Sequence, residues 1–556
     1  MDAEDSYTKA MKIVLAEKVS PATLAVLQEE PGWNIVTADA IAKLGPGGLE
    51  SELADADALV VRSAVQVNAK LLESAPKLRA IGRAGVGVDN IDIDAATHSG
   101  IVVMNTPGAN AVAVAELAIG LMISMARSIP RANSTMHAAK WEKKSLQGSE
   151  LRGKTLGIIG LGRIGLEVAR RARSFGMELI GYDPFIAPVV ARENQVTLLP
   201  LDELFKQSDY LTLHVGLTTQ TEGMINATSI KLMKPGVRIV NCARGELIVD
   251  EALAEAIRSG HVAGAALDVF RKEPLKDSAY FGLDNVLLSP HVAGSTDEAQ
   301  EAIGIQLAKQ VRDYLKLGVV QCAVNLPSLS HEEYVEIAPY IDMAERLGLF
   351  LSHATPGNLE SIQIAYAGRL AQGKTDLIRN AALCGILANT EDDSEQGTSA
   401  NRINAAALAE ERGIRIQEEK KELTSGGSGS TLKLVLHSSD GNASASATVL
   451  HGNSPRLLTY DGIDIEAALD GTLLVCRNHD VPGVIGRIGT ILGEHSLNIA
   501  NFALGRSVRS QRIPQGQALA LVQIDVKSPS DANAAIEALR KVEAIVSVRL
   551  VDLGKL

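Results

Sequence analysis

The stretch from Thr155 to Asp183 constrains the fold more than any other part of this chain. It reads T-L-G-I-I-G-L-G-R-I-G-L-E-V-A-R-R-A-R-S-F-G-M-E-L-I-G-Y-D. Thr155–Ile159 is a short apolar run suited to a buried parallel strand. Gly160, Gly162 and Gly165 then form G-x-G-x-x-G at the turn into a helical pattern with Ile164, Val168 and Ala172 on one face. A second strand, Leu179–Tyr182, ends on Asp183. Each glycine has its own physical role. Gly160 permits the tight turn, Gly162 the close approach of a pyrophosphate, and Gly165 the packing of helix on strand. Arg163 and Ile164 open the helix, whose unpaired N–H groups face the phosphates. Asp183 is placed to accept hydrogen bonds from ribose hydroxyls. It would repel a 2′-phosphate, so NAD is expected over NADP. The stretch predicts a dinucleotide site.

The 556 residues are too many for one core, and three or four domains are expected. A net charge of -12 argues against a general nucleic-acid or anionic-membrane surface. An anionic ligand would therefore depend on local Arg and Lys. The four cysteines, Cys242, Cys322, Cys384 and Cys476, have neither disulfide-framework nor metal-ligand spacing, and no metal is expected. The acidic N-terminus lacks an apolar h-region, and no apolar run is long enough to span a bilayer. A cytoplasmic, reducing-compartment protein is the expectation.

Strand-like Met11–Leu15, Ala58–Arg62 and Ala80–Arg83, with a helix over Pro21–Glu29 capped by Ser20, predict a parallel α/β domain ahead of the dinucleotide fold. Ala113–Met125 is apolar nearly all round, which predicts burial in a core or between subunits. Strands are expected at Tyr210–Val215, Arg238–Asn241, Gly264–Val269 and Val286–Leu288. A helix over Pro290–Asn325 would return to the first domain. Leu326–Gly471 carries no strong chemical motif, and its segments Asn389–Ser399 and Thr424–Ser430 read as acidic–polar and flexible. Leu473–Leu550 has the order β-α-β-β-α-β of a ferredoxin-like module.

Three ionisable groups follow strands in the dinucleotide half: Arg244 in N-C-A-R-G-E, Glu273 in D-V-F-R-K-E-P and His291 in S-P-H-V-A-G-S-T. Any one of them alone reads as structural. Ligands of a doubly wound sheet bind outside the carboxyl ends of its strands, so all three can converge there.

Together, N-C-A-R-G, A-L-D-V-F-x-x-E-P and S-P-H-V-A-G-S-T behind G-L-G-R-I-G resemble the NAD-dependent D-2-hydroxyacid dehydrogenases. The resemblance covers essentially the whole chain and is greatest to the long form, with an intervening domain and an ACT domain. It implies a Rossmann-like NAD-binding domain (109–291) inserted in a flavodoxin-like substrate domain (11–108 and 292–326). An α+β intervening domain (327–470) and a ferredoxin-like ACT domain (471–556) would follow. The implied reaction is oxidation of 3-phosphoglycerate to 3-phosphohydroxypyruvate at the head of L-serine biosynthesis. His291 would take the hydroxyl proton, and Glu273 would orient its imidazole and favour the protonated form. Arg244 would hold the carboxylate and developing carbonyl. Cys242, Ala243 and Asp268 would flank the cofactor, Asp268 at its nicotinamide end.

V-R-S and G-R-A-G-V-G-V-D-N are similar to the family's substrate loops, which brings Arg62 and Arg83 to the substrate's anionic groups. The backbone of Gly85 and Val86 and the Asn110 side chain would complete a carboxylate site. Lys143 stands where relatives often have an Arg, which keeps the charge but loses bidentate phosphate geometry. R-N-H-D-V-P-G-V-I-G with S-L-N-I-A-N-F resembles an ACT effector edge. It offers Asn478, Asp480 and Asn498 to L-serine, with dimerisation alone as the other reading. Two interfaces, one through each module, favour a homotetramer. Glyoxylate and hydroxypyruvate reductases share the core but usually lack the two C-terminal domains. Formate dehydrogenases tend to carry Gln in place of Glu273, and the related transcriptional corepressors lack an ACT module.

Overall fold

The computed structural model describes residues 10–327, 331–355, 357–388, 399–421, 429–506, 516–526 and 528–554. The N-terminal segment, most of the acidic stretch (389–398) and most of the Gly/Ser stretch (422–428) lie outside the described residues.

The first sheet is parallel and contains β1 (Lys12–Leu15), β2 (Asn34–Val36), β3 (Ala58–Val61), β4 (Ala80–Arg83) and β5 (Val102–Met104), in the order β2-β1-β3-β4-β5. That is the flavodoxin-like order. Strands β1, β3, β4 and β5 are almost wholly buried, as covering helices on both faces require, and the edge strand β2 is partly exposed. Ser20 accepts from the Thr23 amide and caps the helix Pro21–Gln28.

The second sheet contains β6 (Thr155–Ile159), β7 (Glu178–Tyr182), β8 (Thr197–Leu198), β9 (Tyr210–Leu213), β10 (Val237–Asn241), β11 (Val262–Leu267) and β12 (Val286–Leu288). All its pairings are parallel, in the order β12-β11-β10-β9-β6-β7-β8. This is the doubly wound order that reverses beside β6, where the Gly-rich turn lies. The helix Ala111–Arg127 buries Val114, Ala118, Ile119 and Met122 against this sheet and the helix Arg163–Ser174. Its other face leaves Val112 half-exposed.

The returning helix is shorter than the sequence suggests: it runs from Asp297 to Leu317. Thr296 caps it through the Ala299 amide, and Gly318 ends it in the left-handed region. Residues 290–295 are loop, held by the site described below. The helix packs on Pro21–Gln28 and β4, with Ile303, Leu307 and Val311 in the core of the first domain.

The third sheet is mixed: β13 (Leu359–Ala367), β14 (Arg415–Lys421), β15 (Thr431–Ser438), β16 (Gly441–Leu450), β17 (Ser454–Tyr460) and β18 (Ile463–Ala468), ordered β14-β13-β15-β16-β17-β18. The helices His331–Ala354 and Asp376–Leu387 pack together against it. The fourth sheet is antiparallel: β19 (Thr472–His479), β20 (Asn498–Arg506), β21 (Gln517–Asp525) and β22 (Ile545–Asp552), ordered β20-β21-β19-β22. One of its faces, with Leu474, Cys476 and Val522, packs on its own helices Val484–Glu494 and Asn533–Arg540. The opposite face, with Leu473, Val475, Leu519 and Leu521, joins Tyr460, Ile463 and Ile465 of the third sheet in one core.

Polar contacts fix the same junction. Arg477 pairs with the buried Asp461 at 2.5 Å. Arg346 donates to the carbonyls of Leu553 and Gly554 at 3.2 and 3.3 Å. Among the described residues no single helix is long and apolar enough to cross a membrane. One bent pair, Ala111–Arg127 with Ile129–His137, meets that test by length and composition.

Gly505 is where β20 comes closest to β18: a Cβ there would stand 2.5 Å from Ile463 Cγ2 and 2.8 Å from the Asp464 carbonyl. Gly505→Val is expected to push the fourth sheet off the third and cost about 1–3 kcal/mol, the usual range for overpacking. Calorimetry should show an earlier transition, and limited proteolysis faster cleavage near 469–471. Wild-type behaviour in both would refute this packing.

Candidate active site

The Gly-rich turn is built as its sequence requires. Gly160 has φ 91°, and a Cβ on it would stand 2.5 Å from the His214 carbonyl, so only glycine fits. A Cβ on Gly165 would collide with the Gly160 carbonyl. Around Gly162, which caps the twelve-residue helix Arg163–Ser174, no atom lies within 4 Å of such a Cβ, which leaves open space at the helix N-terminus. Asp183 accepts from the Leu161 amide at 2.9 Å and from the Phe185 amide at 2.8 Å, so its carboxylate organises both turns of the site. Arg163 donates to the Pro107 carbonyl, and Ile164 packs on the apolar core below. These residues fit a dinucleotide: open phosphate space, free helix N–H groups and a fixed acceptor for ribose.

Between the two parallel sheets lies a cleft of about 480 Å³. Of the residues singled out in the sequence, Arg62, Arg83, Gly85, Asn110, Glu273 and His291 line it. Arg244 meets its rim through Asp89, with Nη2 3.3 Å from Asp89 Oδ2. Val86 is set back, its carbonyl accepting from Asn105 Nδ2 at 2.6 Å.

His291 Nδ1 is 2.7 Å from Glu273 Oε2, and Glu273 Oε1 accepts from the Phe270 amide at 3.0 Å. Glu273 is thereby fixed to the turn after β11 and holds one ring nitrogen. Nε2 is left without a partner among the described residues. His291 itself sits in the left-handed region, φ 51°, with its amide donating to the Asp268 carbonyl at 2.8 Å.

The Asp268 carboxylate is fully buried and accepts from Ser289 Oγ at 2.6 Å, the Val292 amide at 3.0 Å and the Ala293 amide at 2.9 Å. It therefore ties the loop of His291 to the end of β11. Cys242 is buried beside it, and burial, with the charge of Asp268, raises its thiol well above the ordinary range. Ala243 is held by its amide to Asn241 Oδ1 at 3.0 Å and receives Arg244 Nη1 on its carbonyl at 2.7 Å.

On the other wall, Arg83 is the unusual group. Its Nε is buried without a hydrogen-bond partner, and no carboxylate lies within ion-pairing distance among the described residues. Burial and then the nearby Arg244 charge lower the guanidinium from its ordinary 12.5. Its guanidinium lies across Gly85, where any Cβ would overlap it. Asn110 Oδ1 is likewise buried and unpartnered. Arg62 is positioned by Glu17, which accepts from the amides of Arg62 (2.8 Å), Ala64 and Val65. Asn90 braces the same loop through the Arg62 and Val65 carbonyls.

Glu17, Asp89, Asn90, Asn241 and Ser289 are the residues that motif reading passed over. Asp89, Asn90, Asn241 and Ser289 lie inside the quoted motifs, which was the available signal. Lys143 lies in a short 3-10 turn beside Trp141, away from the cleft within one chain. Among the described residues no cluster of His, Cys, Asp or Glu could hold a metal ion.

In the fourth sheet, Asn478 pairs in register with Ala518, and Asn498 with Asp525, at the opposite end of β21. The three expected effector residues are thus not brought together within one chain. Asn478 Oδ1 is buried and unpartnered, Asp480 pairs with Arg506 at 3.4 Å, and Asn498 donates to Asp525 at 2.7 Å.

A Rossmann-type cleft with a carboxylate-held histidine and a free cation defines a D-2-hydroxyacid dehydrogenase. The family model for the D-isomer specific 2-hydroxyacid dehydrogenase NAD-binding domain matches residues 119–293. The D-3-phosphoglycerate dehydrogenase intervening domain matches residues 336–461, and the ACT domain matches 472–544. The D-3-phosphoglycerate dehydrogenase of Methanocaldococcus jannaschii is 38% identical over 544 residues, covering 98% of this chain and 100% of that protein. The Bacillus subtilis enzyme of the same name is 36% identical over 98% of this chain and 99% of its own. Among solved structures, a glyoxylate reductase from Paecilomyes thermophila superposes with TM-score 0.51 at 30% identity, covering 57% of this chain and 99% of that one. The chain belongs to the long-form D-3-phosphoglycerate dehydrogenases.

His214, a histidine expected to be structural or peripheral, is partly buried: its Nδ1 is enclosed without a partner, and its Nε2 is 2.8 Å from Thr212 Oγ1. Burial lowers it to about 3, against an ordinary value near 6.5. The folded state keeps it neutral where the unfolded chain takes a proton. Its stabilisation is therefore present above about pH 6.5 and is lost as pH falls from there toward 3. The urea midpoint should fall between pH 7.5 and 5, and His214→Gln should flatten that slope; equal slopes in the two proteins would refute the assignment.

Proposed function

We infer that this chain catalyses the NAD-dependent oxidation of 3-phosphoglycerate to 3-phosphohydroxypyruvate, the first step of L-serine biosynthesis. The observation that carries the reading is the pairing of His291 with Glu273 at 2.7 Å on a cleft whose facing wall holds the unpartnered Arg83. The relatives matched over their full length carry the corresponding name. Arg62, Arg83 and Arg244 supply three cationic groups to a substrate with one carboxylate and one phosphate. Asn110 and the Gly85–Val86 backbone add neutral donors.

In the reaction, His291 Nε2 takes the proton of the C2 hydroxyl while Glu273 holds Nδ1, orients the ring and balances the imidazolium formed. Arg244 offers directed hydrogen bonds to the carboxylate and to the carbonyl oxygen as it develops. NAD, when bound, would supply the acceptor for the hydride that leaves C2. Gly160, Gly162, Arg163, Ile164, Gly165 and Asp183 would hold it, with Cys242, Ala243 and Asp268 flanking it. Four free cysteines, three of them buried, support placement in the cytoplasm, where thiols stay reduced.

His291→Ala is expected to lower turnover about 10²–10⁴-fold, the usual share of general base catalysis. Glu273→Ala should cost less, because it removes the holder and not the base. NAD reduction with 3-phosphoglycerate, set against a panel of unphosphorylated 2-hydroxy acids, checks the substrate. Faster turnover of an unphosphorylated acid would overturn the reading.

L-serine is the proposed effector, bound between two fourth sheets. Antiparallel pairing of β20 with β20 of a second copy would carry that copy's Asn498 to the Arg506 end of this strand, beside Asn478 and Asp480. Asp480 would meet the ammonium, and the two Asn side chains the carboxylate and hydroxyl. A second interface through the dinucleotide domain, where Trp141 is 80% and Met136 55% exposed, makes the assembly a homotetramer. Lys143 could reach a substrate phosphate only from a neighbouring subunit. Inhibition requires serine to favour the less active state. Serine should inhibit the wild type and not Asn498→Ala, with turnover retained, and sedimentation should read a tetramer. Wild-type activity unaffected by saturating serine, or a monomer at micromolar concentration, would sink this part.

A further inference from the structure

The cleft contains one anion for which the reaction has no use. Asp89 lies in the G-V-G-V-D-N turn beyond β4, on the substrate side, and Arg244 lies beyond β10, on the dinucleotide side. Their side chains meet across the cleft, Nη2 to Oδ2 3.3 Å, with 68% of the Asp89 side chain and 27% of the Arg244 side chain exposed. Gly87 makes the room: a Cβ there would collide with Arg244 Nη2 and stand 2.6 Å from Asp89 Oδ2. The other terminal nitrogen of Arg244 is taken by the Ala243 carbonyl at 2.7 Å. Arg62 and Arg83 have no such carboxylate within ion-pairing distance among the described residues. Of the three cations, Arg244 alone is already paired.

We propose that Asp89 is the resident counter-ion of Arg244, which the substrate carboxylate must displace, and so a positioning residue that sets substrate affinity without touching the reacting atoms. The proposal rests on the reading of Arg244 as the holder of that carboxylate. Without substrate, the guanidinium is shared between the Ala243 carbonyl of its own loop and Asp89 across the cleft. Because Asp89 is on the same chain, it competes at an effective concentration that no dilution lowers. A weakly held monoanion then fails to take Arg244. A substrate also held by Arg62 and Arg83 succeeds. Exposure limits the strength of the pair: such ion pairs are worth about 0.2–1 kcal/mol, so the competition amounts to roughly 1.4- to fivefold in affinity.

The test is the dissociation constant of 3-phosphoglycerate for the NADH-bound protein, measured by calorimetry, with sulfate as a second probe that needs no assumption about the substrate. Asp89→Asn is expected to lower both constants about 1.4- to fivefold and to raise kcat/KM through KM. Asp89→Glu, which keeps the carboxylate, should remain near the wild type. In an Arg244→Gln background, Asp89→Asn should have no effect, because the group it competes for is gone. If Arg244→Gln weakens binding but Asp89→Asn leaves it unchanged or weaker, the role of Asp89 is overturned and that of Arg244 stands. Wild-type binding in Arg244→Gln would overturn both.

Discussion

A carboxylate without access to solvent holds the loop that carries His291. Burying an ionised group is costly unless hydrogen bonds replace its hydration. Asp268 meets that condition with the Ser289 hydroxyl and the amides of Val292 and Ala293. Its own carbonyl and amide are spent as well, on the His291 amide and the Asn241 carbonyl. The end of β11, the end of β10 and the His291 loop are thereby one unit. Glu273 adds its second contact from the turn just after β11, so His291 is fixed at its backbone by Asp268 and at ring Nδ1 by Glu273. Replacing Asp268 by Asn would set an amide donor against backbone donors, and leaving buried groups unsatisfied costs about 1–3 kcal/mol each.

The dinucleotide half was legible because its motif is local: strand, glycines, helix and acid all lie within one stretch, and each shapes the backbone there. The ferredoxin-like order of the last module was legible for the same reason. What the sequence hid depends on distant partners. Asp268 stands in a strand-end motif, and nothing nearby says that its carboxylate closes on the loop of His291. The helix start at Asp297 follows from Thr296 as its cap, whereas residues 290–295 read as an acceptable helical entry. β2 and β5 have only three residues each, too few for a pattern to register. Asn498 belongs to the motif of an effector edge, but the register of β20 on β21 puts it at the far end of the sheet from Asn478.

The modules are joined by packing, not strung on linkers. One apolar core runs from the first sheet through Leu326 and Ile341 into the third sheet and the face of the fourth. A second junction is polar. Asn401 and Asn404 donate to the carbonyls of Gly100 and His98 at 3.0 and 3.3 Å, and His98 Nδ1 meets Glu411 at 3.0 Å. These contacts fall at the C-terminal end of the short helix Ile93–His98, whose other end follows the turn of Asp89 and Asn90. One wall of the cleft and the intervening domain thus share a single rigid element. A shift of the third sheet cannot be absorbed there by a flexible hinge.

The charge of the cleft is the reverse of that of the chain, -12 overall. Screening confines each surface charge to about 8 Å at physiological salt, so the net value says little at the cleft. The local groups decide, and among them Arg83 matters most. Desolvation of a guanidinium without an anion is a cost the empty protein bears, visible in the lowered affinity of Arg83 for its proton. An arriving carboxylate or phosphate removes that cost at the moment of binding, whereas a neutral ligand would leave it in place and add desolvation of its own. Discrimination of this kind is steep, because a site built for a charged partner is left with unpaired buried groups by any analogue that lacks it. On the proposed function, Arg83 and the orphaned Asn110 oxygen of the same cleft would select for a charged, donor-bearing substrate before any reacting atom is engaged.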